Sequence, residues 1–550
     1  MQENDKILQD KRVLQKKSSL IKSGISLSFL TLISRILGLA REMTKAAFLG
    51  TSNLADAFGI AFMIPNLFRR LFAENSISVA FVPTFKKYLE SENIIVDKTE
   101  KQNSTQDFLN SSFTLVSFLV TCFVSLGMLF SPWIVKLFAN SDAVETLTEM
   151  NLLTKIMFPY LLFVSLAAFF QGILNGHKIF SPSGFTPILF NLCVIIGTYV
   201  LMPFCANPAR AMAIGVTVGG SIQAIFQLPF VLKQGWKIKF TSLKNAFTNK
   251  GTKRVLALIG PTIIGMACYQ LNDVVSTALA GRAGVGVVSS LQYSLRLQEL
   301  ILGIFAVSIG TVILPDLSGL AAKKNWSSFN KMLIQAIKII ALITIPVTFF
   351  SFCYGENLII LIYKTNRFTD ESVASTLAVF IWHIAGLFFI ALNRIVAPAF
   401  YAQGNTKLPT LAGIIGFAVN IILASALVGS FSGTGIAFAL SAASFANTVA
   451  LFAFMKKTGT IEVFKVVKSS VIYSIKMIIF SLIACVPVYF LRPFLLSWFA
   501  GHNRFISQGV PLTIAVIIFA TLGIIFLTLT RDDIIFSIIS KLKRKISGKN

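Results

Sequence analysis

Two apolar stretches near the start of the chain carry arginines at helical spacing. The first reads Ser34-Arg35-Ile36-Leu37-Gly38-Leu39-Ala40-Arg41-Glu42; the second, beyond Asp56, reads Pro65-Asn66-Leu67-Phe68-Arg69-Arg70-Leu71-Phe72-Ala73-Glu74. Arg35, Gly38 and Arg41 step by three and Arg35 and Glu42 by seven, which puts them in one sector of a helix. Asn66, Arg70 and Glu74 step by four along a second stripe, with Arg69 beside it and Pro65 interrupting the backbone ladder. A third group, Gln292, Arg296 and Glu299, shares a face at spacings of four and three, next to Tyr293. A guanidinium forms bidentate bonds to phosphate and stays charged when partly desolvated. Arginines in so apolar a setting point to an anionic, phosphorylated substrate that also bears lipid. The alternative is structural: Arg41–Glu42 and Arg70–Glu74 as ion pairs near helix ends, with snorkelling arginines. That reading leaves Arg35 and Arg69 with no acid nearby in sequence.

The surrounding chain places these residues in a membrane. Of 550 residues, 55% are hydrophobic and 13% charged, with 51 phenylalanines, and the mean hydropathy is +0.75. A soluble protein carries about twice that charge fraction. Stretches of about 20 apolar residues, the length that crosses a bilayer core, recur about fourteen times. The predicted spans are 24–48, 54–84, 108–138, 149–175, 184–205, 211–232, 255–280, 287–317, 331–354, 374–402, 409–430, 434–455, 471–492 and 508–529. The class is an all-α polytopic membrane protein.

The net charge of +26 could suggest nucleic acid, but its distribution argues against such a partner. Basic residues gather in alternate loops: the N-terminal tail, 86–101, 233–254, 323–324, 456–468 and the last tail. The intervening loops 139–147, 206–210 and 281–286 are poor in them. This is the positive-inside pattern, and it predicts an inner (cytoplasmic) membrane protein with both termini cytoplasmic. The expected organisation is a tail over 1–23, a first bundle over 24–232, an amphipathic connector over 233–254, a second bundle over 255–455, two further helices over 456–530 and a basic tail over 531–550. In the connector, Trp236, Ile238, Phe240, Leu243 and Phe247 alternate with lysines, as in a strip lying on headgroups.

Enzymatic chemistry finds no support. His177, His383 and His502 are scattered, no HExxH, GxSxG or Walker sequence occurs, and the loops are short. The six cysteines show no CxxC spacing and sit in apolar runs, so no catalytic residue, metal site or cofactor is expected.

The motif residues carry a resemblance. Ser34-Arg35-x-Leu37-Gly38-x-x-Arg41-Glu42, Asp56-Ala57-Phe58, Pro65-Asn66-Leu67-x-Arg69-Arg70-x-Phe72-Ala73-Glu74 and Ala80-Phe81-Val82-Pro83 closely resemble the MurJ/MviN family of bacterial lipid II flippases. So do Phe158-Pro159-Tyr160, Gly310-Thr311-x-x-Leu314-Pro315, Ala397-Pro398-x-Phe400-Tyr401-Ala402 and Thr406-Lys407-x-Pro409. The family usually has Asp where Glu42 stands, an acid where Leu295 stands, and a glycine in the turn where Asn366-Arg367 precede Phe368.

The resemblance implies a fold of the multidrug/oligosaccharidyl-lipid/polysaccharide exporter superfamily, with two lobes around a central cavity and the last two helices forming a lipid-tail groove. It implies a substrate, undecaprenyl-pyrophosphate carrying the peptidoglycan disaccharide-pentapeptide (lipid II), moved to the periplasmic leaflet by alternating access. By motif position the substrate-binding residues are Arg35, Arg41, Arg69 and Arg296, with Ser34 and Asn66, supported by the acids Glu42, Asp56, Glu74 and Glu299. Expected partners are lipid II and cell-wall synthesis and division proteins, with membrane potential or an ion gradient as the driving force. Export of another polyprenyl-linked glycan, or a non-transporting scaffold for cell-wall enzymes, are the competing functions.

Overall fold

The computed structural model describes residues 29–71, 80–90, 98–138 and 144–536. Every regular element among them is helical, and nine of the helices are long and apolar enough to cross a membrane. By contacts the chain divides into two compact units, Met1–Leu271 and Asn272–Asn550.

The N-terminal unit begins with α1 (29–49) and α2 (Asn53–Phe68). Ser52 starts α2 as its N-cap, its hydroxyl accepting from the Ala55 N–H. After α2 the backbone widens into a π turn over 69–71, which holds Arg69 and Arg70; such turns recur at functional positions in helical proteins. The helices that follow are α3 (Val82–Glu90), α4 (Lys98–Lys136), α5 (Val144–Met157), α6 (Pro159–Gly176), α7 (Ser181–Leu201) and α8 (Pro208–Leu232). Proline suits a first helical turn, where its missing N–H has no partner to lose. Pro159, Pro182 and Pro208 hold such positions, and Pro159 divides the predicted fourth span into α5 and α6.

α8 packs on α5, α6 and α7, while α2 packs on α5. Glycines allow the closest approach: a Cβ on Gly215 of α8 would stand 3.2 Å from the Val194 Cα of α7. Between the first half of α5 and the start of α8, Arg210 grips Glu149 by two bonds, Nε to Oε1 at 2.9 Å and Nη2 to Oε2 at 2.6 Å.

The segment after α8 is mounted on α4. The N–H groups of Lys237, Lys239 and Thr241 donate to Gln106 (3.0 Å), Asn110 (3.0 Å) and Thr114 (2.9 Å). Alternate residues of an extended chain advance about 6.6 Å, and four residues of a helix about 6 Å. An extended strand and a helix face therefore stay in register over these three bonds. Trp236, read from sequence as an interfacial residue, instead turns inward: it is buried and donates its Nε1–H to His177 Nε2 at 2.8 Å. The short helix α9 (Leu243–Thr248) and α10 (Lys250–Ala283) follow, and the boundary between units falls inside α10.

The C-terminal unit contains α11 (Val287–Ala322), α12 (Trp326–Tyr363), α13 (Asp370–Ala385), α14 (Leu387–Tyr401), α15 (Lys407–Met455), α16 (Val463–Trp498) and α17 (Arg504–Leu529). α15 breaks at Ser432, whose φ of 50° lies in the left-handed region, between the predicted spans 409–430 and 434–455. α12 is the hub, packing on α11, α13, α14, α16 and α17. Three polar ties fasten the last two helices: Arg492 to Glu356 at 2.5 Å, Asn357 to Gln508 at 2.8 Å, and Lys476 to the buried Asp532 at 2.8 Å. The outer surface of α16 and α17 remains apolar and exposed, as at Phe490, Phe494 and Ile517, the condition expected of helices that face lipid.

Candidate functional site

In the N-terminal unit, α1 bears the charged stripe and α2 and α7 enclose it. The Arg41 guanidinium bonds Glu42 at 2.8 Å and lies between two rings, 5.7 Å from the Phe62 centroid on α2 and 5.6 Å from Phe190 on α7. Both Arg41 and Glu42 are largely covered, with side chains 18% and 14% exposed. The ion pair named by the structural alternative therefore exists, and it stiffens Arg41 within an aromatic slot. One residue from Phe190, the amide of Asn191 donates to the Ser34 carbonyl at 3.2 Å. That bond fixes the rotation of α1 next to Arg35.

Arg35 itself is half-buried. Among the described residues it has no ion pair, hydrogen bond or ring contact. A guanidinium in an apolar stretch without such a partner costs on the order of 3 kcal/mol. A ligand with negative charge would offset that cost.

The structure adds Lys45, which sequence reasoning passed over. It is 4% exposed, lies 5.9 Å above the Phe58 ring and sits in the fields of Glu42, Asp56 and Arg41. Asp56, in the first turn of α2, is itself 7% exposed. The signal was present in sequence, since Lys45 follows Arg41 by four and Glu42 by three, but a lysine near a helix end reads as a snorkelling one. With Arg35, Arg41 and Lys45 against Glu42 and Asp56, this part of the unit carries one surplus positive charge.

On α2 and its π turn, Arg69 donates from Nε to Asn66 Oδ1 at 2.8 Å. Arg70 reaches away to Gln270 of α10 at 3.3 Å. Asn66 thus orients Arg69 directly, whereas Glu74 lies outside the described residues.

In the C-terminal unit, packing fixes the rotation of α11. Tyr293 is fully buried, its ring 4.9 Å from Tyr363 and 5.4 Å from Phe368. Ser294 bonds His383 Nδ1 at 2.7 Å, and Gln298 donates to the His383 carbonyl. With those residues turned inward, the opposite face presents Gln292, Leu295, Arg296 and Glu299, all half-buried or exposed. Arg296 bonds Glu299 at 3.3 Å with its side chain 30% exposed. Leu295, which stands where the family usually has an acid, supplies no charge, and Glu299 one turn on holds the guanidinium instead.

Charged groups kept in apolar helices, paired where they need rigidity, mark a polytopic membrane protein. The architecture agrees: an inward-facing multidrug transporter of the MATE family, in the MOP superfamily, shares the fold at a TM-score of 0.64, covering 79% of this chain and 96% of that one at 12% identity. A structure of lipid II flippase MurJ in an inward closed conformation matches at a TM-score of 0.76 and 28% identity, covering 93% of this chain and all of that one. The family model described as lipid II flippase MurJ matches residues 45–509. A probable lipid II flippase MurJ of Treponema pallidum is 47% identical over 530 residues, 96% of this chain and 99% of that relative. A Vibrio cholerae relative of the same description is 32% identical over 442 residues, 79% of this chain and 82% of its own length. The chain belongs to the MurJ family.

Proposed function

We propose that this protein is a flippase for undecaprenyl-diphosphate-linked peptidoglycan precursor, lipid II, carrying it from the cytoplasmic to the periplasmic leaflet. The observation that carries this reading is the 47% identity with a probable lipid II flippase over nearly the whole of both chains. Such a protein is a transporter and performs no covalent chemistry.

Arg35, Arg41, Arg69 and Arg296 take up the diphosphate, with Ser34 and Asn66 beside them. Glu42, Asp56, Glu74 and Glu299 order the cations. The geometry supports different duties for each arginine. Arg41 is pre-set by Glu42 and two rings, Arg69 by Asn66 and Arg296 by Glu299, so these three lose little freedom on binding. Arg35 supplies charge that no described residue neutralises. The lipid tail stays in the bilayer along α16 and α17, whose exposed apolar faces suit it. Transport proceeds by alternating access across about fourteen spans, both termini remaining cytoplasmic in the bacterial inner membrane. Moving a net charge across the membrane is worth about 2.3 kcal/mol per 100 mV, so resetting of the empty, positively charged site is driven by membrane potential or a coupled ion gradient. Cell-wall synthesis and division proteins are the expected consumers of the product.

The test is leaflet distribution of the precursor in cells depending on this copy. Depletion should accumulate lipid II on the cytoplasmic side within a generation; an unchanged distribution would refute the reading.

A further inference from the structure

The connector after α8 holds a surface that the transport reading does not use. Residues 233–254 contain seven lysines and arginines and no acid, and all seven side chains are exposed. A basic loop alone is ordinary topology. This one is rigid, because three successive alternate N–H groups are bonded to Gln106, Asn110 and Thr114 on one face of α4. Trp236 anchors the start of the strip in the aromatic cluster that contains Phe85.

The same mounting sets its depth. Along their i, i+4 row of α4, Gln106, Asn110 and Thr114 give way to Phe118 and Cys122. Phe240 then packs on Phe113 at 4.8 Å, and Phe247 on Phe118 at 6.4 Å. Phe118 and Leu119 of α4 are 39% and 40% exposed. Phe240, Leu243 and Phe247 are themselves 71%, 42% and 40% exposed. Lysines at headgroup level beside apolar side chains at the hydrocarbon edge are the two halves of an interfacial lipid site.

We propose that residues 237–247, mounted on α4, form a binding surface for anionic glycerophospholipid, with Lys237, Lys239 and Lys244 on the headgroup phosphates and Phe240, Leu243 and Phe247 against the acyl chains. The surface uses none of the residues assigned to the diphosphate.

The experiment is native mass spectrometry of the purified full chain in detergent, with phosphatidylglycerol or phosphatidylcholine added. The parent protein should retain phosphatidylglycerol preferentially. Lys237→Gln/Lys239→Gln/Lys244→Gln should lower that retention by at least about tenfold, since each lysine near an anionic surface contributes several-fold. Lys456→Gln/Lys457→Gln/Lys465→Gln, an equal charge change elsewhere, should leave it intact. Asn110→Leu, which removes the acceptor for the Lys239 N–H while keeping every lysine, should lower retention too. Equal retention by the connector variant, equal loss in the control variant, or no effect of Asn110→Leu would overturn the proposal. So would a connector variant that loses added undecaprenyl diphosphate while keeping phosphatidylglycerol, because the strip would then serve the substrate.

Discussion

Replacing Arg35 by alanine separates transport from stability more cleanly than any other change in the site. No described residue pairs with Arg35, so removing the guanidinium breaks no internal bond. No loss of folding stability is expected, and a gain of up to about 3 kcal/mol in the empty protein, because the variant sheds a guanidinium that no described residue neutralises. If the side chain binds diphosphate, the variant loses a charge-assisted bond worth roughly 1.5–3 kcal/mol, or about 10- to 150-fold in transport at limiting substrate. Arg41→Ala provides the contrast. It leaves the Glu42 carboxylate, 14% exposed, without its 2.8 Å partner, and should cost roughly 1–3 kcal/mol of stability as well as transport. The assay is precursor flux into proteoliposomes alongside thermal melting of the same preparations. Undiminished flux in Arg35→Ala, or a melting loss equal to that of Arg41→Ala, would refute the assignment of Arg35 as the site's free cation.

Lys45→Met should destabilise the N-terminal unit by roughly 3 kcal/mol, the scale for removing one member of a buried charge group; adding Asp56→Asn should recover part of that loss in a melting experiment. Asp532→Asn keeps an oxygen for the Ile534 N–H, 3.1 Å from Asp532 Oδ1, but ends the ion pair with Lys476, so thermal melting should show a loss of about 1–3 kcal/mol. Gly386→Ala would press a Cβ against the Ser441 side chain, with the Ser441 Cα only 2.9 Å away. Overpacking of that kind costs about 1–3 kcal/mol, visible as lower yield of folded protein and a lower melting temperature.

The parts of this molecule legible in its sequence are those governed by local periodicity. The spacing of Arg35, Gly38 and Arg41 put them on one helix sector, and Ser34, Arg41 and Glu42 are engaged on α1 as helical geometry requires. The gap between the predicted spans 409–430 and 434–455 coincides with the break that α15 makes at Ser432. What escaped depends on partners distant in sequence. Trp236 read as a headgroup residue because its neighbours alternate with lysines, yet His177, 59 positions earlier, draws it inward. The burial of Lys45 requires Phe58 and Asp56 from the next helix, and the aromatic slot of Arg41 requires Phe190 from α7. The π turn that presents Arg69 is a backbone adjustment with no composition of its own, and Pro65 upstream marks only that the ladder is disturbed. On α11 the missing acid at Leu295 drew attention in sequence, while the packing of Tyr293 and the Ser294–His383 bond, which set the orientation of Arg296, joins residues 89 positions apart.

As a flippase, this chain should move a diphosphate-linked polyprenyl glycan across a bilayer alone, with its arginines. Purified protein in sealed vesicles, supplied with labelled lipid II in one leaflet, tests it most directly. Protein-dependent transfer to the other leaflet is expected, lost in Arg35→Ala and Arg296→Ala preparations that melt no lower than the parent; absence of transfer by the parent, or equal transfer by those variants, would refute the assignment.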